Sequence, residues 1–363
     1  MRKALKRTLI ILSIPLVLFA GLLVFSTLTD YRPEPESEEQ LSLEGKGIKI
    51  VGDTLTALIW NIGYAGLGAE MDFFNDGGNM VRPSEEQNNR FLEGITAFIA
   101  AYRDSVDFVL LQEVDKHSKR SYFTNQQERI ASVLPGFASC FALNYDVKFV
   151  PVPFAFPYTP YGKTYGGLVS YSRFEPAASL RLQYPGGFDW PTRLYMLDRC
   201  ALEQKFKLPN GKELLIVNTH NTAYDATGEI KKQELEYLKK RYEAESKKGN
   251  YVLIGGDWNQ VPPGFSSTHF NARMPEGYTP QAVTAEQFPS GFGVSYGEKI
   301  PTNRSNDRPY KASETYTTLI DYFVHSPNIE VVDVHGIDLQ FKHSDHQPVV
   351  LKFCLKAPLK PRT

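Results

Sequence analysis

Cysteine is scarce in this chain: Cys140, Cys200 and Cys354 are the three among 363 residues. They are scattered, odd in number and lack the short spacings of a metal-binding set, so neither a disulfide framework nor a thiolate metal site organises the fold. They read as buried free thiols, with one bridge plus one free thiol left open. Net charge is also nearly absent, at −1. No overall basic field therefore points to nucleic acid. No internal repeat is visible. What remains is ordinary for a globular protein: 42% apolar and 22% charged residues, enough for a sizeable core in one large or two ordinary domains.

One segment lacks charge entirely. Between Thr8 and Thr29 there is no Asp, Glu, Lys or Arg. As a helix this run would reach about 33 Å, close to one bilayer core. Arg2, Lys3, Lys6 and Arg7 precede it, and Asp30, Glu34, Glu36, Glu38 and Glu39 follow, as the positive-inside rule requires. Residues 1–29 are expected to form an uncleaved transmembrane signal anchor, with everything after Asp30 extracytoplasmic, in the periplasm or outside the cell. The competing reading is a cleaved signal peptide and a secreted protein. The apolar run is long for that, and Phe25-Ser-Thr-Leu-Thr29 is a poor cleavage site. No cysteine follows the run, which excludes a lipoprotein anchor. Residues 30–47 are acidic and contain proline, and read as a solvated linker.

The main domain is expected over residues 48–357, with a short tail at 358–363. Strand-like apolar runs occur at 54–60, 108–112, 167–171, 200–206, 213–218, 251–254, 320–324 and 349–353. Helical patterns occur at 83–102, 124–133 and 228–247. The first carries a capping-box signature, Ser84 followed by Gln87. Many strands with few helices between them predict an α+β domain of two packed sheets with helices outside. The stretch 262–313, rich in Pro, Gly, Ser and Thr, reads as a substrate-facing insertion. The aromatic and proline-rich stretch 149–165 reads as a loop over the site.

Chemistry-bearing residues recur where apolar strands end. Thr54-Leu-Thr-Ala-Leu-Ile-Trp60 leads to Asn61, whose amide suits a hard cation or a phosphate. Phe108-Val-Leu-Leu-Gln112 leads to Glu113. A carboxylate beside a buried strand is costly unless it is paired or holds a metal. Leu214-Leu-Ile-Val-Asn218 leads to His220, an imidazole able to protonate a leaving oxygen or stabilise phosphoryl charge. Gly255-Gly256 precedes Asp257 and Asn259, which point to one side in extended backbone. Asp321 and His346 suggest an Asp–His pair in which the carboxylate orients the ring, leaving Asp345 as a metal or water partner. Arg173, Arg199, Arg304 and Arg308 are candidate phosphate binders, although surface arginines are the commoner case. No carboxylate partner for His220 stands out.

Taken in order, Asn61, Gln112-Glu113, Asn218-Thr-His220, Gly256-Asp257-Trp258-Asn259, Ile320-Asp321-Tyr322 and Ser344-Asp345-His346 resemble the motif series of the endonuclease/exonuclease/phosphatase family, the deoxyribonuclease-I-like superfamily. The resemblance spans roughly residues 50–355. It implies a four-layer α/β sandwich of two mixed sheets flanked by helices, and attack of water on a phosphoester assisted by Mg²⁺ or Mn²⁺. It implies that Asn61, Glu113 and Asp345 serve the metal, Asp257 activates water and Asn259 binds phosphate. His346, supported by Asp321, would act as base or phosphate ligand. His220 matches a catalytic histidine of the pancreatic-deoxyribonuclease and sphingomyelinase branches rather than the apurinic-site nucleases. Nucleic acid and phospholipid head groups both stay open as substrates, since a fold does not settle a substrate. A catalytically silent, membrane-anchored binding or scaffold domain of the same fold is the alternative. The presence of Glu113, Asp257 and His346 argues against it.

Overall fold

The apolar runs become strands, and their residue spacing explains the layers. The computed structural model describes residues 2–50, 52–154, 156, 158–270, 274 and 280–356, residues 2–12 by backbone alone. In chain order the elements begin with α1 (Arg2–Leu28), β1 (Glu38–Gln40), β2 (Thr54–Asn61), α2 (Glu85–Tyr102) and β3 (Phe108–Asp115). Then come α3 (Gln126–Ala131), β4 (Ala138–Val150), β5 (Gly162–Ser172), β6 (Ala178–Gln183), β7 (Cys200–Lys207) and β8 (Glu213–His220). After α4 (Glu229–Lys247) follow β9 (Tyr251–Asp257), β10 (Gly293–Ser295), β11 (Asn303–Arg304) and β12 (Thr317–Thr318). The series ends with β13 (Asp321–His325), β14 (Ile329–Gly336) and β15 (Val349–Leu355).

Two mixed sheets result, with strand orders β1-β6-β7-β8-β9-β13-β10 and β14-β15-β2-β3-β5-β4, and β11 pairs with β12 beside them. Parallel pairs sit at the middle of each, β2 with β3 and β8 with β9. A parallel pair is covered on both faces, so its strands read as continuous apolar runs. Alternate residues face opposite ways. Ala57, Ile59, Phe108 and Leu110 meet Leu214, Ile216, Leu253 and Phe323 between the sheets. Leu58, Trp60, Val109 and Leu111 turn outward onto Phe91, Ile95 and Ile99 of α2. Leu215, Val217, Val252 and Ile254 turn outward onto Leu235, Leu238 and Tyr242 of α4. The layers are thus helix, sheet, sheet, helix. Each fully buried Leu, Ile or Phe contributes about 1.5–3 kcal/mol of transfer free energy.

α2 starts where its pattern predicts. Ser84 accepts from the Gln87 N–H and the Gln87 side chain answers to the Ser84 N–H. Three expectations change. Residues 38–40, inside the segment read as a solvated linker, pair with β6, because they supply Leu180, Arg181 and Leu182 with an otherwise missing edge partner. The stretch 262–313 is not one loose insertion: β10 extends a sheet by pairing with β13, and β11 closes on β12. Residues 271–273 and 275–279 of it lie outside the described residues. The expected anchor coincides with α1, but among the described residues no helix is long and apolar enough to cross a membrane. The side chains of residues 2–12 lie outside them.

Candidate active site

The C-terminal ends of β2, β3, β8 and β9 converge, which is where open α/β sheets place ligands. Beneath that end a polar clasp joins the sheets. Asn218 of β8 donates from Nδ2 to the carbonyls of Leu111 and Val169 at 3.0 Å each, and its Oδ1 accepts from Gln112 Nε2 at 2.7 Å. β8 and β9 stay in register to the last pair, His220 opposite Asp257. A Cβ on Gly256 would collide with the Thr219 carbonyl, and its φ is +150°, so glycine lets β9 lie close against β8 there. β3 bulges between Leu111 and Val114, and Glu113 adopts φ +53° within the bulge. The bulge re-aims the Glu113 side chain, which is 23% accessible, toward the cleft.

Asn61 sits between two carboxylates. Its Nδ2 donates to Glu113 Oε1 at 3.2 Å and to Asp257 Oδ2 at 3.0 Å, while its Oδ1 accepts from the Gly63 N–H at 3.0 Å. Asn61 therefore presents its amide nitrogen, not its oxygen, to the acids. His220 Nε2 lies 3.4 Å from Asp257 Oδ2 and 3.9 Å from Glu113 Oε1. Its Nδ1 is buried without a partner among the described residues, and the carboxylates the sequence did not single out for it, Asp257 and Glu113, lie on the Nε2 side. Burial, helped by the nearby charges of Arg199, His346 and Arg120, pushes its pKa well down, and the ring is neutral.

The expected Asp321–His346 pair is formed. Asp321 Oδ2 and His346 Nδ1 are 2.8 Å apart, and His346 Nε2 lies 3.7 Å from Asp257 Oδ2. Asp321 opposes Asp257 in the β13–β9 register, so strand pairing itself stacks the two acids beside the ring. Burial disfavours the imidazolium, but the charges of Asp321 and Asp257 and the hydrogen bond to Asp321 outweigh it and raise the His346 pKa. Asn303 Nδ2 lies 3.0 Å from His346 Nε2. In this arrangement Nε2 accepts from Asn303 in the neutral ring, and the imidazolium would require the carboxamide turned so that its oxygen faces Nε2. Asp257 lies above the ordinary carboxylate range, chiefly through burial and against the attraction of His346. Burial likewise raises Glu113, against the pull of Arg120.

Asn259 is left-handed at φ +51°, its N–H bonded to Asp257 Oδ1 at 2.9 Å and its Nδ2 to the Asn221 carbonyl at 2.9 Å. It braces the Asp257 turn and keeps one amide hydrogen for a ligand. Asp345 is buried, and its Oδ2 accepts from Asn306 Nδ2 at 2.7 Å. Asn303 and Asn306, together with Asp76 and Tyr224, are site neighbours that motif reading missed. Asn306 also donates to Asp76 Oδ2 at 3.3 Å, and Tyr224 to Asp76 Oδ1 at 2.9 Å. Burial raises Asp76 to about 6. None of the four follows an apolar strand, so strand-end spacing held no signal for them.

Of the four arginines, Arg199 and Arg304 stand among the site groups, Arg304 through its N–H, which donates to the Asp345 carbonyl at 3.0 Å. Arg199 precedes β7, its Nη1 is buried without a partner among the described residues, and its charge acts on both Glu113 and His220. Arg173 binds the carbonyls of Arg103 and Val106, Arg304 those of Leu67, Gly68 and Met71, and Arg308 pairs with Asp307. A cavity of about 300 Å³ lies beside the site, lined by Tyr184, Trp190, Arg193, Arg199, Thr222 and Glu234 among others.

Two groups of side chains are close enough to share a cation, the first only with His346 unprotonated. Asp257, Asp321 and His346 bring one ligand atom each within 4.8 Å of one another. Of the expected set, Glu113 and Asp345 are hard oxygen donors suited to Mg²⁺ or Mn²⁺, whereas Asn61 turns its Nδ2 to the acids and keeps its Oδ1 on the Gly63 N–H. Glu113 fits that role because its carboxylate is costly to ionise where it stands and its hydrogen-bond donor is a neutral amide.

Residues 58–346 match the family described as Endonuclease/Exonuclease/phosphatase family. No curated protein matches the sequence. Among solved structures, the chain is similar to an endonuclease/exonuclease/phosphatase from Beutenbergia cavernae DSM 12333, at 19% identity over 84% of this chain and 72% of that one, with TM-score 0.54. It is similar to the human Nocturnin catalytic domain with bound sulfate anion, at 17% identity over 87% and 98%, with TM-score 0.51. It is also similar to ANGEL2, a 2',3'-cyclic phosphatase, in complex with adenosine-2',3'-vanadate, at 14% identity over 88% and 99%, with TM-score 0.54. At these identities the likeness is one of fold.

Proposed function

This chain belongs to the endonuclease/exonuclease/phosphatase family, and from that premise we propose that it hydrolyses phosphodiester bonds with a divalent metal ion, anchored to a membrane with its catalytic domain outside the cytoplasm. The observation that carries the reaction is the convergence of Asn61, Glu113, His220 and Asp257 from four strand ends on the Asp321–His346 pair. A silent scaffold has no need to bury Asp257 and Asp321 against the two nitrogens of one imidazole.

In this reading a water molecule attacks phosphorus and gives its proton to Asp257, whose raised pKa makes it a competent base near neutrality. The imidazolium of His346, steadied by Asp321, stabilises charge growing on the phosphoryl oxygens. The free amide hydrogen of Asn259 binds one of those oxygens. The ester oxygen departs with the bonding pair and takes a proton from solvent, while neutral His220 holds it through Nε2–H. Glu113 and Asp345 would hold Mg²⁺ or Mn²⁺, with Asn61 steadying the Glu113 carboxylate through Nδ2; the ion when bound supplies positive charge to a phosphoryl oxygen. Phospholipid head groups and nucleic acid are the substrate classes the family resemblance leaves open. The anchor rests on the uncharged run from Thr8 to Thr29 and on the basic and acidic flanks around it.

The test is hydrolysis of a soluble aryl phosphodiester by the full chain with Mg²⁺. Activity should disappear with chelator and fall by roughly 10²–10⁴-fold in Asp257→Ala, the usual worth of a general base. A folded Asp257→Ala variant that keeps full activity would sink the assignment. Anchoring is tested by sedimentation with vesicles, where a chain left in the supernatant refutes it.

A further inference from the structure

Strand direction determines what surrounds the catalytic mouth. β7 is antiparallel to β8 and β6 to β7, so β6 runs with β8 and its last residue, Gln183, lies at the catalytic end. Residues 184–199 therefore begin and end there. β1 is antiparallel to β6, with Glu38 opposite Leu182, so the chain leaving α1 also enters the domain at that end. In the other sheet β5 is antiparallel to β3, and β4 to β5. The loop between Val150 and Gly162 is thus a third feature of the same end.

These features are apolar and tied together. Phe156 is fully exposed (100%) and Phe154 is 74% exposed. Phe154 stacks on Tyr158 at 6.2 Å, and Tyr158 is tied back to the Pro151 carbonyl at 2.8 Å. Trp190, in the 184–199 segment, is 52% exposed. On α1, Leu16, Val17, Leu18, Phe19, Val24 and Leu28 are all exposed. The foot of α1 does not swing on a free stalk. Ser26 Oγ lies 3.1 Å from Tyr195 Oη, Trp190 Nε1 donates to Thr27 Oγ1 at 3.1 Å, and Arg193 pairs with Asp30 at 3.5 Å. Tyr195 in turn accepts at its carbonyl from Tyr145 Oη of β4, at 3.1 Å, and packs with Val150 and Val152 at the root of the aromatic loop.

Exposed rings and an apolar helix in water carry a solvation cost that a bilayer interface removes, and Trp and Tyr favour that depth. We propose that the catalytic end of the sandwich is applied to the lipid bilayer, with α1 entering the membrane and Phe154, Phe156, Tyr158 and Trp190 seated in its interface. The site then opens onto the head-group layer, and its substrate is a phosphodiester presented by the membrane surface. The inference rests on the anchoring proposed above. It adds an orientation, which an anchor on a flexible stalk would leave free.

Trp60 and Trp258 are buried, so an indole at the rim is the emission that lipid can change. The full chain is bound to phosphatidylcholine vesicles with bromine on the upper acyl chain. Trp190 is read in the unsubstituted protein, and position 156 in the double variant Phe156→Trp, Trp190→Phe. Position 156 is fully exposed, so the exchange leaves the fold intact, and far-ultraviolet circular dichroism checks this. The expected result is a shift to shorter wavelength and loss of emission at both positions. Quenching at 190 with an unchanged indole at 156 would overturn the orientation while leaving the anchor standing. A chain that does not sediment with vesicles overturns both. Hydrolysis of the soluble aryl phosphodiester is scored in parallel: quenching at both positions without hydrolysis supports the orientation and refutes the reaction.

Discussion

Asp257 and His346 share one electrostatic problem: each is buried, and each makes the other's charged form tolerable. Their shifts define a pH window for the proposed reaction. As pH falls through the raised Asp257 pKa the carboxylate is protonated and cannot accept the proton of water, so the acid limb of kcat/KM lies above the usual carboxylate range. As pH rises through the raised His346 pKa the imidazolium is lost, so the alkaline limb lies well above the usual histidine range. Asp321→Asn removes the negative charge beside Nδ1 and lowers the His346 pKa. The expected outcome is an alkaline limb displaced toward neutrality, with the acid limb less affected. A pH–rate profile of that variant superimposing on the parent would show that Asp321 does not act through His346. At this scale the sequence was informative wherever a residue ended a strand. Asn61, Glu113, His220 and Asp257 all announced themselves by following an apolar run. Asn303 and Asn306 did not, because they reach the site through the packing of a segment whose composition reads as loop.

At the scale of elements, the pattern of α2 was complete in the sequence. Ser84 and Gln87 satisfy each other's backbone, and Phe91, Leu92, Ile95 and Ile99 form the buried face. Ser84→Ala should destabilise the domain by about 1 kcal/mol, read as a lower urea midpoint at unchanged slope. No change in midpoint would mean that solvent replaces the cap without loss. Edge strands were the poorly legible elements. β1 is the acidic triplet Glu38-Glu39-Gln40, exposed at every position, and its strand form comes from β6 rather than from its own propensity. β14 is exposed at four of its eight positions, and alternates too weakly to be read in advance.

For the whole molecule, the decisive question is the charge of the assembled site. Glu113, Asp257, Asp321 and Asp345 lie close together, and a divalent cation bound to the native state would offset their repulsion. Mg²⁺ at about 100 times its Kd should stabilise the fold by about 2.7 kcal/mol, seen as a raised Tm that chelator reverses. Glu113→Gln should remove most of that gain, whether or not the variant retains activity. A Tm that does not move with Mg²⁺ would count against the metal. The same scale governs the segment 303–306. Arg304 is buried and donates to three carbonyls of the 67–71 loop, and this places Asn303 at His346 and Asn306 at Asp345.

The sequence by itself determined the two packed sheets and the polar strand ends of the candidate site, because short, β-branched apolar runs are buried in covered sheets and the polar residues that close them gather at the sheet ends. The uncharged run at the N-terminus was equally plain. Tertiary structure alone decided which atoms meet. The Asp257–Asp321 pairing comes from β9–β13 register, the Asn61 amide orientation from the Gly63 N–H, and the common end shared by catalytic mouth, aromatic loop and α1 from the alternation of strand directions. Register and direction are properties of pairs of segments far apart in the chain, and no local pattern of residues contains them.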